Sequence, residues 1–397
     1  MNTMIQRSAL FSLVFATQNF HVAESFCRST PTTTGKLSYI HSPQRIETTA
    51  LSLDPLLYDE QERLLAERGK YEGELLDKST HQPIPLEGNV VKGASGGGGF
   101  AGRGDRGGGS SVLKTQAKAH AKVLREQGVV RIDNVLSKDL ADSIRGRVYQ
   151  MRRESEDLVQ SGTVPHLARF ADVLLNGDRD RCDMTIPLGT ECDDDKPEEH
   201  SWVPQALASV LVDSPVGGTY QNVLGNKAIL REWSCIMSDP SSDRQVMHYD
   251  TPYNEDPVLY TCFIALQDIE LNMGPTTWMP ETHDSQEIHH QFQDETKPSG
   301  AAVSPKDQLL LSKPTVLGTM SKGSCAIYDS RLLHAGGANT SDKSRAILYC
   351  TFQNPKVTNL GNPGSIRKNL IGQWTLQKLQ KELTKYQKGK PSEVYME

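Results

Sequence analysis

The sequence predicts a mixed α/β (α+β) domain, a helical front packed on an antiparallel β barrel, preceded by a leader and a glycine-rich tether. Three observations carry that prediction. After Asn226, short runs rich in β-branched and aromatic residues recur between Gly, Pro and Asn, with no helical stretches between them. From Ser111 to Glu156 the apolar spacing is helical, broken once by a short β run. Between Gly93 and Gly109, ten of seventeen residues are glycine, too little apolar surface to offset the entropy of ordering the backbone.

Composition narrows the function. The 397 residues carry 43 Lys+Arg against 49 Asp+Glu, a net charge of −6 with no basic block, which disfavours a nucleic-acid surface. No run of eighteen apolar residues exists, so a membrane-spanning helix is not expected. The seven cysteines are widely spaced and lack a C-x-x-C pair, which excludes a dense disulfide scaffold and a zinc ribbon. A single Cys182–Cys192 bridge stays open.

In chain order, residues 1–50 read as a presequence. Arg7 precedes a short apolar core, Ala9 to Ala16, and Ala23 and Ser25 stand at −3 and −1 of a cut before Phe26. Phe26 to Ala50 is rich in Ser and Thr and carries Arg28, Lys36 and Arg45 against Glu47. A signal followed by a transit segment resembles the two-part presequence of algae with secondary plastids and implies the plastid (chloroplast). A secretory or mitochondrial leader is the alternative. Residues 51–92 are charged and weakly helical, with no role assigned, and 93–110 form the tether. The folded domain is expected over 111–370, with a polar helix or tail over 371–397.

Within the domain, Ser111 to Glu126 is a helix ended by Gly128, and Val129 to Ile132 a short strand. Ser137 caps a helix over Lys138 to Glu156 that aligns Leu140, Ile144 and Val148 on one stripe. The acidic run CDDDKPEEH at 192–200 reads as solvated surface rather than a metal site. The expected strands lie in AILREWSCIM, VLYTCFIALQ, TTWMP, SCAIYD and RAILYCTF.

MHYDTPY is the strongest local signal. His248 and Asp250 flank one residue, so on extended backbone both side chains face the same way. An imidazole and a carboxylate on one face make two thirds of the facial triad that binds non-haem iron. His334 ends a strand-like stretch eighty-four residues after Asp250, and Arg345 follows eleven positions later.

With these residues the chain, from about Val123 to Gln353, resembles the phytanoyl-CoA dioxygenase-like branch of the iron(II)/2-oxoglutarate oxygenases. The resemblance implies a double-stranded β-helix (jelly-roll/cupin-like barrel) with flanking helices. It also implies Fe(II) held by His248, Asp250 and His334, 2-oxoglutarate as cosubstrate with its far carboxylate on Arg345, and O2 as co-reactant. Two positions depart from the family pattern. Pro280-Glu281-Thr282-His283 lacks the usual Gly-Ser, and Gly336 stands where relatives often carry a small hydroxyl near the cosubstrate. Asp250 argues hydroxylation, desaturation or ring closure, because halogenating relatives have Ala or Gly there.

Arg231 and Trp233, on the run before the His-x-Asp segment, are tentative substrate residues, with a barrel-wall aromatic as the equal alternative, and His283 is a third, for which a structural role is the stronger alternative. Arg181-Cys182-Asp183 is a candidate pocket edge. His289 and His290 are expected in solvent, and His166 and His200 receive no role. Two other classes compete: a catalytically silent barrel that binds a ligand, and a cupin-type isomerase without 2-oxoglutarate. The intact ligand set argues against the first and Arg345 against the second. The expected partner is a small-molecule substrate, with no nucleic acid. Phytanoyl-CoA itself is disfavoured, since VYME is not a peroxisomal signal. Lipid or pigment hydroxylation, and ring closure of an N-prenylated glutamate to a kainoid-type amino acid, are the named chemistries.

Overall fold

Among the described residues, eight α-helices and ten strands build on the periodicities above, and in the computed structural model they belong to one unit, Asp54–Glu397. The structure describes residues 55–86, 108–165, 170, 181–188, 201–358, 370 and 372–394. The presequence, most of the tether, the acidic run at 192–200, His166 and His200 lie outside these residues. Helix α1 (Pro55–Asp77) and the two-residue strand β1 (Ile84–Pro85) precede helix α2 (Gly108–Gln127) and strand β2 (Val129–Ile132). Helix α3 spans Lys138–Gln160, capped by Ser137 Oγ, which accepts from the Leu140 amide at 3.2 Å. Such a cap contributes about 1 kcal/mol. The helix passes the expected end at Glu156 and stops where Gly162 takes φ +72°.

Strand β3 (Arg181–Thr185), helices α4 (Trp202–Leu211) and α5 (Pro215–Leu224), and strands β4 (Ile229–Ser238) and β5 (Leu259–Ala265) follow. Next come β6 (Thr276–Trp278), helices α6 (Gln286–Gln293) and α7 (Pro305–Ser312), β7 (Val316–Leu317), β8 (Cys325–Asp329), β9 (His334–Gly336), β10 (Arg345–Gln353) and helix α8 (Leu376–Gln387). The strands form a four-stranded sheet, β1-β7-β6-β9, and a six-stranded sheet, β2-β8-β5-β10-β4-β3. Every pairing in the larger sheet is antiparallel. Two facing sheets with crossing connections give the jelly-roll expected.

Both faces of the larger sheet are buried, and they differ in chemistry. One face carries Cys235, Met237, Cys262, Ile264, Leu348 and Phe352 into a core shared with α3, α4, α5 and α8. The other packs Phe263, Ala326, Tyr328, Ile347 and Tyr349 against Trp278 and Val316 of the smaller sheet. On that inner face β4 also carries Glu232, Ser234 and Ser238, all buried, with the apolar Ile236 between the two serines.

Three expectations need correction. The strands are not free of intervening helices, because α6 and α7 lie between β6 and β7. Each begins at a serine cap, Ser285 accepting from the Ile288 amide and Ser304 from the Asp307 amide. Second, the segment 51–92 is not idle. Leu75 and Leu76 of α1 join a core with Met247, Met279, Leu310 and Leu333, so the packed unit begins upstream of residue 111. Third, residues 371–397 are more than a polar tail, since Leu376, Leu379 and Leu383 of α8 are buried in the main core. Cys182 is a free, buried thiol, and Cys192 lies outside the described residues.

Candidate metal and cosubstrate site

His248 and His334 face each other across an antiparallel bridge. The His248 amide donates to the His334 carbonyl at 2.9 Å and the reverse bond is 2.8 Å, which brings the ring centroids to 4.4 Å. Each imidazole is then set by its own strand. His248 Nδ1 lies 2.8 Å from the Val246 carbonyl and His334 Nδ1 lies 2.9 Å from the Leu332 carbonyl. A carbonyl only accepts, so both Nδ1 atoms carry the proton and both Nε2 lone pairs are left for a metal. His334 is buried, which pushes its pKa down to about 4, and nearby His248 adds to the shift against the opposing pull of Asp250. The neutral ligand form is therefore the stable one.

Asp250 completes the set. Its backbone amide donates to the Ser330 carbonyl at 2.8 Å, which holds the segment extended beside the turn before β9. Asp250 Oδ1 lies 3.7 Å from His248 Nε2 and 3.6 Å from His334 Nε2, and one ligand atom from each residue falls within a 4.8 Å group. Oδ2 accepts from the Tyr328 hydroxyl at 3.0 Å. Two neutral nitrogens and one carboxylate on one side, with other positions open, are the donor set of a non-haem iron. The residues fit the ion. The His248 side chain is 37% exposed and that of His334 only 5%, so the site opens on the His248 side.

Arg345 opens β10 and is 1% exposed, on the inner face shared with Ile347 and Tyr349. Its Nη2 donates to Ser238 Oγ at 3.1 Å, while Nε and Nη1 are buried without a partner. Burial, and then the nearby Arg181, lower its pKa to about 9. Unpartnered buried donors on a cation call for an anion, and the distal carboxylate of 2-oxoglutarate is one.

Of the three tentative substrate residues, Trp233 and His283 take structural places. Trp233 pairs with Cys350 across β10 and packs on Trp202 at 6.4 Å, in the helical core on the outer face of the sheet. Arg231 is the extra residue of a β-bulge, since Thr351 pairs with Glu232 and Phe352 with Leu230. It is half-buried beside Glu232. His283 is buried and bonds through Nε2 to the Arg125 carbonyl at 3.0 Å. It packs against Gly128, whose φ of +77° admits no side chain beside that ring. His283 thus fastens the α2–β2 turn. His289, expected in solvent, is buried beside Tyr249 and Tyr253, at 4.7 and 5.7 Å, while His290 is exposed as expected.

Tyr328 and Ser238 reach the site without having been anticipated. The available signal was alternation: Tyr328 is two residues from Ala326, and Ser238 two from Ile236, on strands whose other face is apolar.

The phytanoyl-CoA dioxygenase (PhyH) family model matches residues 124–347, more than half of the chain. No curated protein matches it. The chain is similar to the solved structure of the non-heme alpha ketoglutarate dependent carbocyclase SnoK from nogalamycin biosynthesis, at 19% identity and a TM-score of 0.44, over 64% of this chain and 88% of that one. It is similar to the epimerase SnoN of the same biosynthesis, at 16% identity and a TM-score of 0.36, over 60% of this chain and 83% of that one. HygX from Streptomyces hygroscopicus, with nickel and 2-oxoglutarate bound, is similar at 11% identity and a TM-score of 0.38, over 60% of this chain and 87% of that one. Motif, sheet topology and a match spanning both histidines agree, and the chain belongs to the phytanoyl-CoA dioxygenase family of iron(II)- and 2-oxoglutarate-dependent oxygenases.

Proposed function

We propose that His248, Asp250 and His334 hold the iron, that Arg345 holds the distal carboxylate of 2-oxoglutarate, and that the enzyme oxidises a small organic metabolite. The observation that carries this reading is the convergence of three ligand atoms within 4.8 Å of one another, with both imidazoles fixed by backbone carbonyls. When bound, iron and 2-oxoglutarate supply oxidation by O2 coupled to decarboxylation to succinate. The chain's own part is positional. The carbonyls of Val246 and Leu332 aim the two imidazoles, Tyr328 holds one oxygen of Asp250, and the other oxygen faces the two imidazole nitrogens. The buried Arg345 fixes the far end of the cosubstrate, so that substrate meets the site from the open His248 side.

Hydroxylation, desaturation and oxidative ring closure all suit a site whose third ligand is a carboxylate. Within that class, ring closure of an N-prenylated glutamate to a kainoid-type amino acid is our named candidate, and lipid or pigment hydroxylation is the competing one. The support is the composition of residues 1–50, whose two-part character fits an algal plastid. A fluorescent protein fused behind residues 1–50 should enter the plastid, and retention in the endomembrane system would refute that placement. The chemistry is tested by incubating the pure enzyme with Fe(II), 2-oxoglutarate and an algal extract. One metabolite should disappear in step with succinate formation, and spiking the N-prenylated glutamate decides whether it is the one.

A further inference from the structure

Thr351, Thr261 and Tyr328 form one row across the larger sheet. Thr351 of β10 stands opposite Thr261 of β5, and Thr261 stands opposite Tyr328 of β8. Residues directly opposite in a ladder share a face, and Tyr328 places this row on the inner one. All three side chains are buried. Their inner-face neighbours Phe263, Ala265 and Ile347 are apolar. Valine would fill the same space as threonine and suit a strand as well, so packing does not account for the two hydroxyls. A buried hydroxyl costs stability unless it is bonded.

These hydroxyls are bonded in series. The Thr351 and Thr261 oxygens lie 3.0 Å apart, the Thr261 side chain bonds the Tyr328 phenol, and the phenol reaches Asp250 Oδ2 at 3.0 Å. The direction of each bond follows from the far end. A carboxylate only accepts, so Tyr328 donates to Asp250. Each hydroxyl has a single proton. That of Tyr328 is committed, so Thr261 donates to the phenol oxygen. That of Thr261 is then committed too, so Thr351 donates to Thr261. All the bonds point towards Asp250, and in such an aligned chain each donor polarises the next.

We propose that Thr261 and Thr351 are positioning residues for the metal site: through Tyr328 they pin Oδ2 of Asp250, which keeps Oδ1 aimed at the two imidazole nitrogens. This rests on the reading of His248, Asp250 and His334 as the iron ligands.

The test titrates the full chain with Fe(II) under nitrogen and reads the dissociation constant, with the melting temperature recorded alongside. Thr261→Val keeps the shape of the side chain and removes the hydroxyl. It should weaken Fe(II) binding by about fivefold or more in the wild-type background, but by less than about twofold in the Tyr328→Phe background, where the chain has no outlet. Thr261→Ser, which keeps a hydroxyl, should bind within about twofold of wild type. Thr351→Val should act in the same direction more weakly, and lose its effect in the Tyr328→Phe background. Equal weakening by Thr261→Val in both backgrounds, or none in either, overturns the proposal, as does a Thr261→Ser variant that binds as weakly as Thr261→Val. A role confined to packing would lower the melting temperature in both backgrounds without this dependence on Tyr328. Should Thr261→Val fail to fold, the same comparison made with Thr351→Val decides. Failure of the ligand reading itself looks different: the wild type would bind Fe(II) no more tightly than His334→Ala.

Discussion

Both candidate ligand histidines use the same local device: each Nδ1 bonds the carbonyl two residues earlier in its own segment, at 2.8 Å for His248 and 2.9 Å for His334. That device is why the triad was legible. It needs only extended backbone, which the His-x-Asp spacing and the apolar run before His334 already imply. Tyr328 was not legible, because an aromatic in a strand is usually core, and only pairing reveals that its hydroxyl reaches Asp250. Tyr328→Phe should weaken iron affinity by about tenfold or more while the fold persists, measured by titrating Fe(II) anaerobically. Trp233 takes the wall position that stood as its alternative, and its face was not legible either. With both faces of β4 buried, sequence alternation does not say which face is the cavity, and here the polar set Glu232, Ser234 and Ser238 takes it. One histidine outside the site sets a pH limit. Burial lowers the pKa of His120 to about 4, partly opposed by Asp133, while the unfolded chain titrates near 6.5. Between these values the unfolded state binds more protons, so this stability is present above pH 6.5 and is lost as pH falls towards 4, by up to roughly 3 kcal/mol. His120→Leu should flatten the fall in melting temperature over that window; an unaltered profile would show that His120 does not govern it.

Helix α1 acts on the site from outside the region that the family model matches. Glu72, 2% exposed, pairs with the buried Lys306 of α7 at 2.8 Å and accepts the Met247 amide at 2.6 Å, one residue before His248. Arg68 supplies a second cation to the same carboxylate at 3.3 Å. One buried carboxylate therefore ties α1, α7 and the segment carrying His248 together. Glu72→Ala leaves the Lys306 ammonium only the more distant, exposed Glu295 at 3.4 Å and should be destabilising by up to about 3–5 kcal/mol in a denaturant titration. Glu72→Ala with Lys306→Met should recover much of that loss but not the iron affinity, since the Met247 amide stays unbonded. Equal recovery of both would reduce Glu72 to a stabilising role alone. The charged composition of 51–92 concealed this, because the pairing partner lies more than two hundred residues away. Helices α4 and α5 were hidden differently. Helix α4 buries eight of its ten residues and shows no polar stripe, and α5 carries Gly217 and Gly218, of which Gly218 lets α5 approach Ala117 of α2.

At the scale of the molecule, sequence periodicity located five of the main strands because each is a continuous β-branched or aromatic run. It missed β3, whose five residues carry an arginine and an aspartate towards the cavity. The unit begins at Asp54, so a chain starting there should keep the melting temperature and 2-oxoglutarate turnover of the full protein. A chain starting at Ser111, which lacks Glu72, should lose both, against the expectation that the tether marks the start of the fold. The central claim is that His248, Asp250 and His334 hold a catalytic iron. It is tested most directly by succinate formation from 2-oxoglutarate under air, with Fe(II) supplied, comparing wild type with His334→Ala at matched folded concentration. The account predicts iron-dependent succinate in the wild type and none above background in the variant, together with loss of tight Fe(II) binding. Full turnover by His334→Ala would contradict it.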